Sequence, residues 1–193
     1  MRIVLRHVNR LDAIIEDLLA LSRIERGSDE QNIPRKPEPI RQVLQSAIEM
    51  CTMKAAEKQV AIALDCPADL MALVNSPLLE QAVVNLIDNA IKYSAAGANV
   101  QVTACGDDQE TVIRVTDKGC GIEARHLPRL FERFYRVDKA RSREQGGTGL
   151  GLAIVKHIAL AHQGTVEVES AIGRGSTFSI RLPVDADAEA KPN

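Results

Sequence analysis

The sequence predicts an α+β fold: a two-layer α/β sandwich, with a mixed sheet and helices on one face, preceded by one long bundle-forming helix. Three observations lead there. Apolar periods of about 3.6 and of 2 alternate along the chain, without the strand–helix–strand rhythm of a parallel fold. The first segment lacks Gly and Pro and carries two adjacent apolar stripes. The length, 193 residues, suits one ordinary domain plus an appendage. The composition is 45% hydrophobic and 26% charged, and the net charge of -2 leaves no basic field for nucleic acid or an anionic membrane. Apolar runs such as Val60 to Leu64 fall far short of the roughly 20 residues of a membrane span. The start, MRIVLRHVNR, lacks the apolar core and cleavage site of a secretory signal. Cys51, Cys66, Cys105 and Cys120 form no CxxC pair, so reduced thiols are expected rather than a metal site or disulfide framework. The expectation is a cytoplasmic module that contacts neither nucleic acid nor membrane.

Ile3 to Glu25 reads as one helix. Val4, His7, Leu11, Ile14, Leu18 and Leu21 follow at spacings of three and four, with Val8, Ile15, Leu19 and Ser22 as a second stripe beside them. Two stripes imply burial by two or more neighbours, as in a four-helix bundle, and no other segment has a matching pattern. The partners are expected from another copy or from residues upstream. Gly27 to Pro39, with one Gly and three Pro among polar residues, reads as the end of that helix and a linker. Ile40 to Lys58 is a predicted helix, with Val43, Leu44, Ala47, Ile48 and Cys51 on one face. Val60–Asp65 and Met71–Val74 read as short strands. Asn75-Ser76-Pro77 is a helix start, a capping side chain followed by Pro, and that helix runs to about Tyr93. Asn99–Ala104 and Thr111–Asp117 flank Gly106-Asp107-Asp108 as a hairpin. An irregular stretch to Gly149 exceeds ordinary connections and is suspected of function. A helix over Leu150–His162 and strands over Thr165–Ser170 and Ser176–Leu182 follow, and the tail from residue 185 is expected to be disordered.

Several short constellations carry chemistry. Asn85, Asn89 and Lys92 lie four and three apart, hence on one helix face. A carboxamide oxygen is a hard ligand suited to Mg²⁺, and a lysine one turn later suits phosphate oxygens. Asp117-Lys-Gly119-Cys-Gly121-Ile122 follows a strand. Its glycines let backbone approach a planar ligand, and its Asp can accept from an exocyclic amine such as adenine N6. Gly146-Gly147-Thr148-Gly149-Leu150-Gly151-Leu152 opens a helix, whose free N–H groups make a phosphate cradle. It is neither a Walker loop nor a Rossmann fingerprint. Gly173-Arg-Gly175-Ser-Thr-Phe178 reads equally as a plain turn or a ligand contact. Only five aromatics occur, and Phe131, Phe134 and Tyr135 cluster, with Tyr93 and Phe178 the others.

Taken in order, these motifs resemble the catalytic and ATP-binding half of bacterial sensor histidine kinases, a GHKL-type ATPase/kinase with a Bergerat-type nucleotide fold. The resemblance runs from about Pro37 to Pro183. Asn85 to Ser94 is similar to the N box, Asp117 to Ile122 to the first glycine box, Phe131 to Tyr135 to the phenylalanine box and Gly147 to Leu152 to the second glycine box. GRGSTF resembles the last glycine-turn motif. All five aromatics fall inside these motifs. The resemblance implies that Asp117, with Gly119, Gly121 and Ile122, recognises adenine, and that Tyr93 packs along the base. It implies Asn89 as the main Mg²⁺ ligand with Asn85 in support, and Lys92 on phosphate. Arg136 and Arg141, in the lid between phenylalanine and second glycine boxes, are implied as catalytic arginines near the terminal phosphates. Gly147, Thr148, Gly149, Leu150 and Gly151 would wrap those phosphates. Glu123 to Glu144 holds seven Lys/Arg against four Asp/Glu, a local excess of three positive charges that suits a cover over a triphosphate.

Related ATPases, among them type II topoisomerases, mismatch-repair proteins and heat-shock chaperones, place Glu four residues before the metal-binding Asn as general base. Here that residue is Asn85, so transfer to an external nucleophile is expected over hydrolysis. The implied acceptor is a His in a motif like H-E-[ILV]-[RK]-T-P. His7 is followed by VNRLD, with neither the acid nor the Pro, and sits in the apolar seam. RLDAIIEDLLALSRIERG instead resembles the second helix of the dimerisation hairpin. The expected organisation is 1–28 for that helix without its first partner, 29–39 for a linker, 40–184 for the ATP-binding domain and 185–193 for the tail. Expected partners are ATP or ADP, the phosphoacceptor hairpin, a response-regulator receiver domain and a second copy through residues 3–25. The parent is expected to be anchored at the inner membrane. Asn75 stands where the family commonly has Asp, a change expected to affect capping more than nucleotide.

Overall fold

A computed structural model describes residues 2–29, 33–137 and 147–184 of the chain. The elements are α1 (Arg2–Asp29), β1 (Lys36–Pro39), α2 (Ile40–Glu57), β2 (Ala61–Asp65), β3 (Met71–Val74), α3 (Ser76–Tyr93), β4 (Asn99–Gly106) and β5 (Glu110–Asp117). A 3₁₀ turn (Ala124–Arg129), α4 (Gly151–Ala161), β6 (Thr165–Ala171) and β7 (Gly175–Pro183) complete them. Five strands form one mixed sheet in the order β2-β4-β5-β7-β6. The parallel pair is β2 with β4; the other neighbours are antiparallel. Helices α2, α3 and α4 pack on this sheet, with α3 between the other two. The core is aliphatic: Val100, Val102, Ile113, Val115 and Ile180 from the sheet meet Leu44, Leu79, Leu86, Ile87, Ile154 and Ile158 from the helices.

Two local expectations are corrected. Residues 36–39, placed in the linker by their prolines, form β1, which pairs antiparallel with β3 in a separate two-stranded sheet. Ile40 N donates to Leu70 O at 3.0 Å, so by strand alternation Lys36 and Glu38 also face β3. Pro37 and Pro39 then turn their ring nitrogens to the free edge, where no donor is needed. Helix α1 also runs on past Gly27 to Asp29. An interior glycine costs a helix only about 1 kcal/mol, which weakens it without stopping it.

The seam of α1 is divided. Leu21 and Ile24 are buried and Ile14 is half-buried against the core, because this side of α1 packs on α4. The chain therefore supplies one partner that the pattern alone assigned elsewhere. Val8, Leu11, Ile15, Leu18 and Leu19 remain exposed. The side chains of Val4 and His7, and the tail, lie outside the described residues.

The junction between α3 and α4 is locked by hydrogen bonds. Asn75 caps α3 by accepting from Leu78 N at 3.2 Å, as its sequence position predicts. Its own N–H donates to Nε2 of His162 at 2.9 Å. That fixes the proton of this buried imidazole on Nδ1, which donates to Ile158 O at 2.8 Å. Burial pushes the pKa of His162 below the usual histidine range, in keeping with a neutral ring.

Candidate functional site

The carboxyl end of β5 and the last turn of α3 meet at one end of the site. Asp117, the last residue of β5, is 5% exposed. Burial raises its pKa against the opposing backbone hydrogen bonds from Gly119 and Ser176. Its Oδ1 accepts from Gly119 N at 2.7 Å. A Cβ on Gly119 would stand 2.5 Å from Tyr93 O and 2.8 Å from Asp117 Oδ1, so the first glycine box lies directly against the end of α3. Gly121 turns at φ +69° and packs on the Ala171 carbonyl, and Ile122 N donates to Ser170 Oγ at 2.9 Å. Gly175, at φ +88°, brings its backbone against the Asp117 carbonyl. The last glycine turn thus packs against the backbone of Asp117. Tyr93 is 40% exposed.

The second glycine box closes the other end. Asn85 Oδ1 would lie 3.0 Å from a Cβ on Gly151, the first residue of α4, so the N-box face of α3 abuts a helix N-terminus. Asn89 is half-buried one turn along. A Cβ on Gly147 would come within 2.5 Å of Lys92 Nζ and 3.8 Å of Arg136 Nη2. Two cationic side chains therefore converge on a glycine that offers no side chain of its own. Burial first, then the charges of Arg136 and Lys58, hold the Lys92 ammonium below the usual lysine value. Such a cluster is poised to gain an anion, because an anion relieves both the desolvation and the repulsion. Arg141 lies outside the described residues.

The phenylalanine box is split by function. Phe131 packs edge-on to Phe178, with ring centroids 6.4 Å apart, and belongs to the core. Tyr135 bonds His126 Nδ1 through its hydroxyl at 2.7 Å and lies under Arg129. Phe134 points outward at 55% exposure, with left-handed backbone (φ 62°), and its N–H donates to Gly149 O at 2.9 Å. That bond ties the phenylalanine box to the second glycine box.

Two residues outside every motif also reach the site. Thr148 Oγ1 donates to Asp17 Oδ2 of α1 at 2.7 Å while accepting from Leu150 N at 3.2 Å. Asp17, whose pKa is raised chiefly by burial, thus places a carboxyl group at the opening of α4. Its position between Ile14 and Leu21 in the docked face was the available signal. Lys58 reaches the last carbonyls of α3, and nothing local in the sequence announces that.

Comparison with known proteins identifies the family and the fold. Residues 74–186 match the family described as histidine kinase-, DNA gyrase B-, and HSP90-like ATPase. The sensor-like histidine kinase SenX3 of Mycobacterium tuberculosis is 39% identical over 186 residues, covering 96% of this chain and 45% of that protein. The phosphate regulon sensor protein PhoR of Pseudomonas aeruginosa is 34% identical, covering 96% of this chain and 42% of its own length. The chain thus spans less than half of these relatives. Among solved structures, the mycobacterial sensor histidine kinase MprB superposes with a TM-score of 0.67 at 29% identity, over 77% of this chain and 97% of that one. Full-length ShkA in complex with AMPPNP gives 0.73 at 27% identity, over 90% of this chain and 35% of that one. Among the described residues, no helix is long and apolar enough to cross a membrane.

Proposed function

Since the chain belongs to the histidine kinase-, DNA gyrase B-, and HSP90-like ATPase family, we propose that it is the ATP-binding catalytic portion of a two-component sensor histidine kinase. In this reading Asp117 accepts from the adenine amine, and Tyr93 lies along the base. Lys92, Arg136 and Arg141 meet the terminal phosphates, which Gly147 to Gly151 wrap. Among the described residues no group of three His, Cys, Asp or Glu could hold a metal. The hard carboxamide oxygens of Asn89 and Asn85 fit Mg²⁺ brought in with the triphosphate, and that ion would neutralise phosphate charge.

The observation that carries the reading is Asn85 standing against the first residue of α4. A carboxamide takes no proton at neutral pH, so Asn85 does not serve as the base that would activate water at the γ-phosphate. An imidazole nitrogen from a separate acceptor hairpin then attacks the γ-phosphorus. The bond to the β–γ bridging oxygen breaks, and ADP leaves with its electron pair. The phosphoryl group passes on from that His to an Asp of a response regulator. Residues 3–25 serve a homodimer, and the site works in the cytoplasm on a parent anchored in the membrane.

Titration calorimetry with ADP plus Mg²⁺, on this chain and its Asp117→Asn variant, is the first test. Micromolar-range binding lost in the variant supports the pocket; no binding by the folded wild type overturns it. Supplying γ-labelled ATP and a separate acceptor hairpin tests the transfer. A second reading, a nucleotide-binding interaction module, is favoured by the Asp17 contact to Thr148, and predicts binding without label on the hairpin. Steady phosphate release that Asn89→Ala removes would instead assign a slow ATPase.

A further inference from the structure

Lys58 is the C-cap of α2 and lies outside all the nucleotide motifs. Its Nζ donates to Ile91 O at 2.7 Å and to Lys92 O in a still shorter contact. Both acceptors belong to the last turn of α3, where helix carbonyls lack partners of their own. An ammonium there also meets the negative end of the helix dipole. The next carbonyl of the same turn, Tyr93 O, is met by Gly119 of the first glycine box. The end of α3 is therefore gripped between α2 and the Gly119 loop. From that grip Lys92 projects, with its ammonium against Gly147.

We propose that Lys58 is a positioning residue for the nucleotide: by holding the carbonyls of Ile91 and Lys92 it sets the point from which Lys92 reaches phosphate. This inference rests on the nucleotide reading of the site. A rival account exists within the same geometry, in which Lys58 acts only by adding a third positive charge beside Lys92 and Arg136. A second rival makes it a helix cap with no bearing on ligand. The three accounts differ in how Lys58 couples to Lys92.

The experiment measures ADP affinity in the presence of Mg²⁺ for the full chain and for Lys58→Met, Lys58→Arg, Lys92→Met and the Lys58→Met/Lys92→Met double variant. Each is titrated well below its own unfolding midpoint. Lys58→Met is expected to weaken ADP about tenfold, the size of a lost charge-assisted hydrogen bond. Lys58→Arg should recover most of that loss. On the Lys92→Met background the same substitution should change affinity less than about twofold, because the side chain it positions is gone. Lys58→Gln replaces the methionine variant if the latter does not fold. A folded wild type that fails to bind ADP overturns the nucleotide reading itself. Wild-type binding matched by Lys58→Met overturns the positioning role and leaves a helix cap, whatever happens to the melting temperature. An undiminished loss on the Lys92→Met background overturns it in favour of a simple charge effect.

Discussion

Asp117 is a carboxylate whose burial costs the fold and, in the proposed reading, serves the ligand. Its raised pKa means that the folded protein takes up a proton more readily than the unfolded chain. Stability therefore falls as pH rises from the ordinary carboxylate value through the raised one, and at neutral pH the ionised group is a burden. Asp117→Asn keeps an oxygen for Gly119 N while removing the charge, so it should raise stability by about 1 kcal/mol even as it abolishes nucleotide binding. Thermal melting and calorimetry on the same sample check both halves; a variant that is destabilised contradicts the account. Gly175→Ala should instead lower stability. Its Cβ would overlap the Asp117 carbonyl at a positive φ, so a loss of about 3 kcal/mol or more is expected in urea melts, with the nucleotide affinity falling alongside.

The helices are joined end to end by His162, and the pH response of that joint has a definite sign. The folded imidazole resists protonation more than the unfolded one, so the unfolded chain binds the extra proton first. Stability should be level above about pH 6.5 and should decline as pH falls below it. His157 is shifted in the same direction by burial, so melting curves between about pH 5 and 7.5 must be compared with His162→Gln, which should flatten the slope without removing it. At this scale most of the architecture was legible. Long periodic segments gave α2, α3, α4 and the two hairpins, and Asn75 announced the start of α3. Strand β1 was hidden because its two prolines read as punctuation, and only pairing with β3 shows that their edge needs no donors. The candidate site residues came from motif patterns; Asp17 and Lys58 did not, since their contacts span 131 and 34 positions and fall outside every motif.

Across the whole molecule, α1 and the nucleotide, in the proposed reading, compete for one threonine, Thr148. Asp17 places a carboxylate where the second glycine box opens, and a phosphate arriving there meets a like charge. Docking of α1 and binding of nucleotide are thereby linked with a reciprocal penalty. Asp17→Ala should tighten ADP binding about threefold to tenfold, and saturating ADP should reduce amide protection over residues 14–24 in the wild type. Hydrogen exchange with and without ADP measures this. Unchanged protection together with unchanged affinity would refute the linkage.

The free edge of β1 has a consequence for how copies of the chain can meet. A strand approaching Pro37 and Pro39 would find carbonyls but no amide hydrogens, so no continuous ladder can zip across that margin. The apolar stripe of Val8, Leu11, Ile15, Leu18 and Leu19 offers the alternative, a helical contact that is reversible and bounded in size. Pairing of copies along this margin is thus disfavoured relative to that helical contact. Exchanging both prolines for threonine would restore amide donors on that margin, and the resulting edge pairing between copies should appear as light scattering that climbs with concentration.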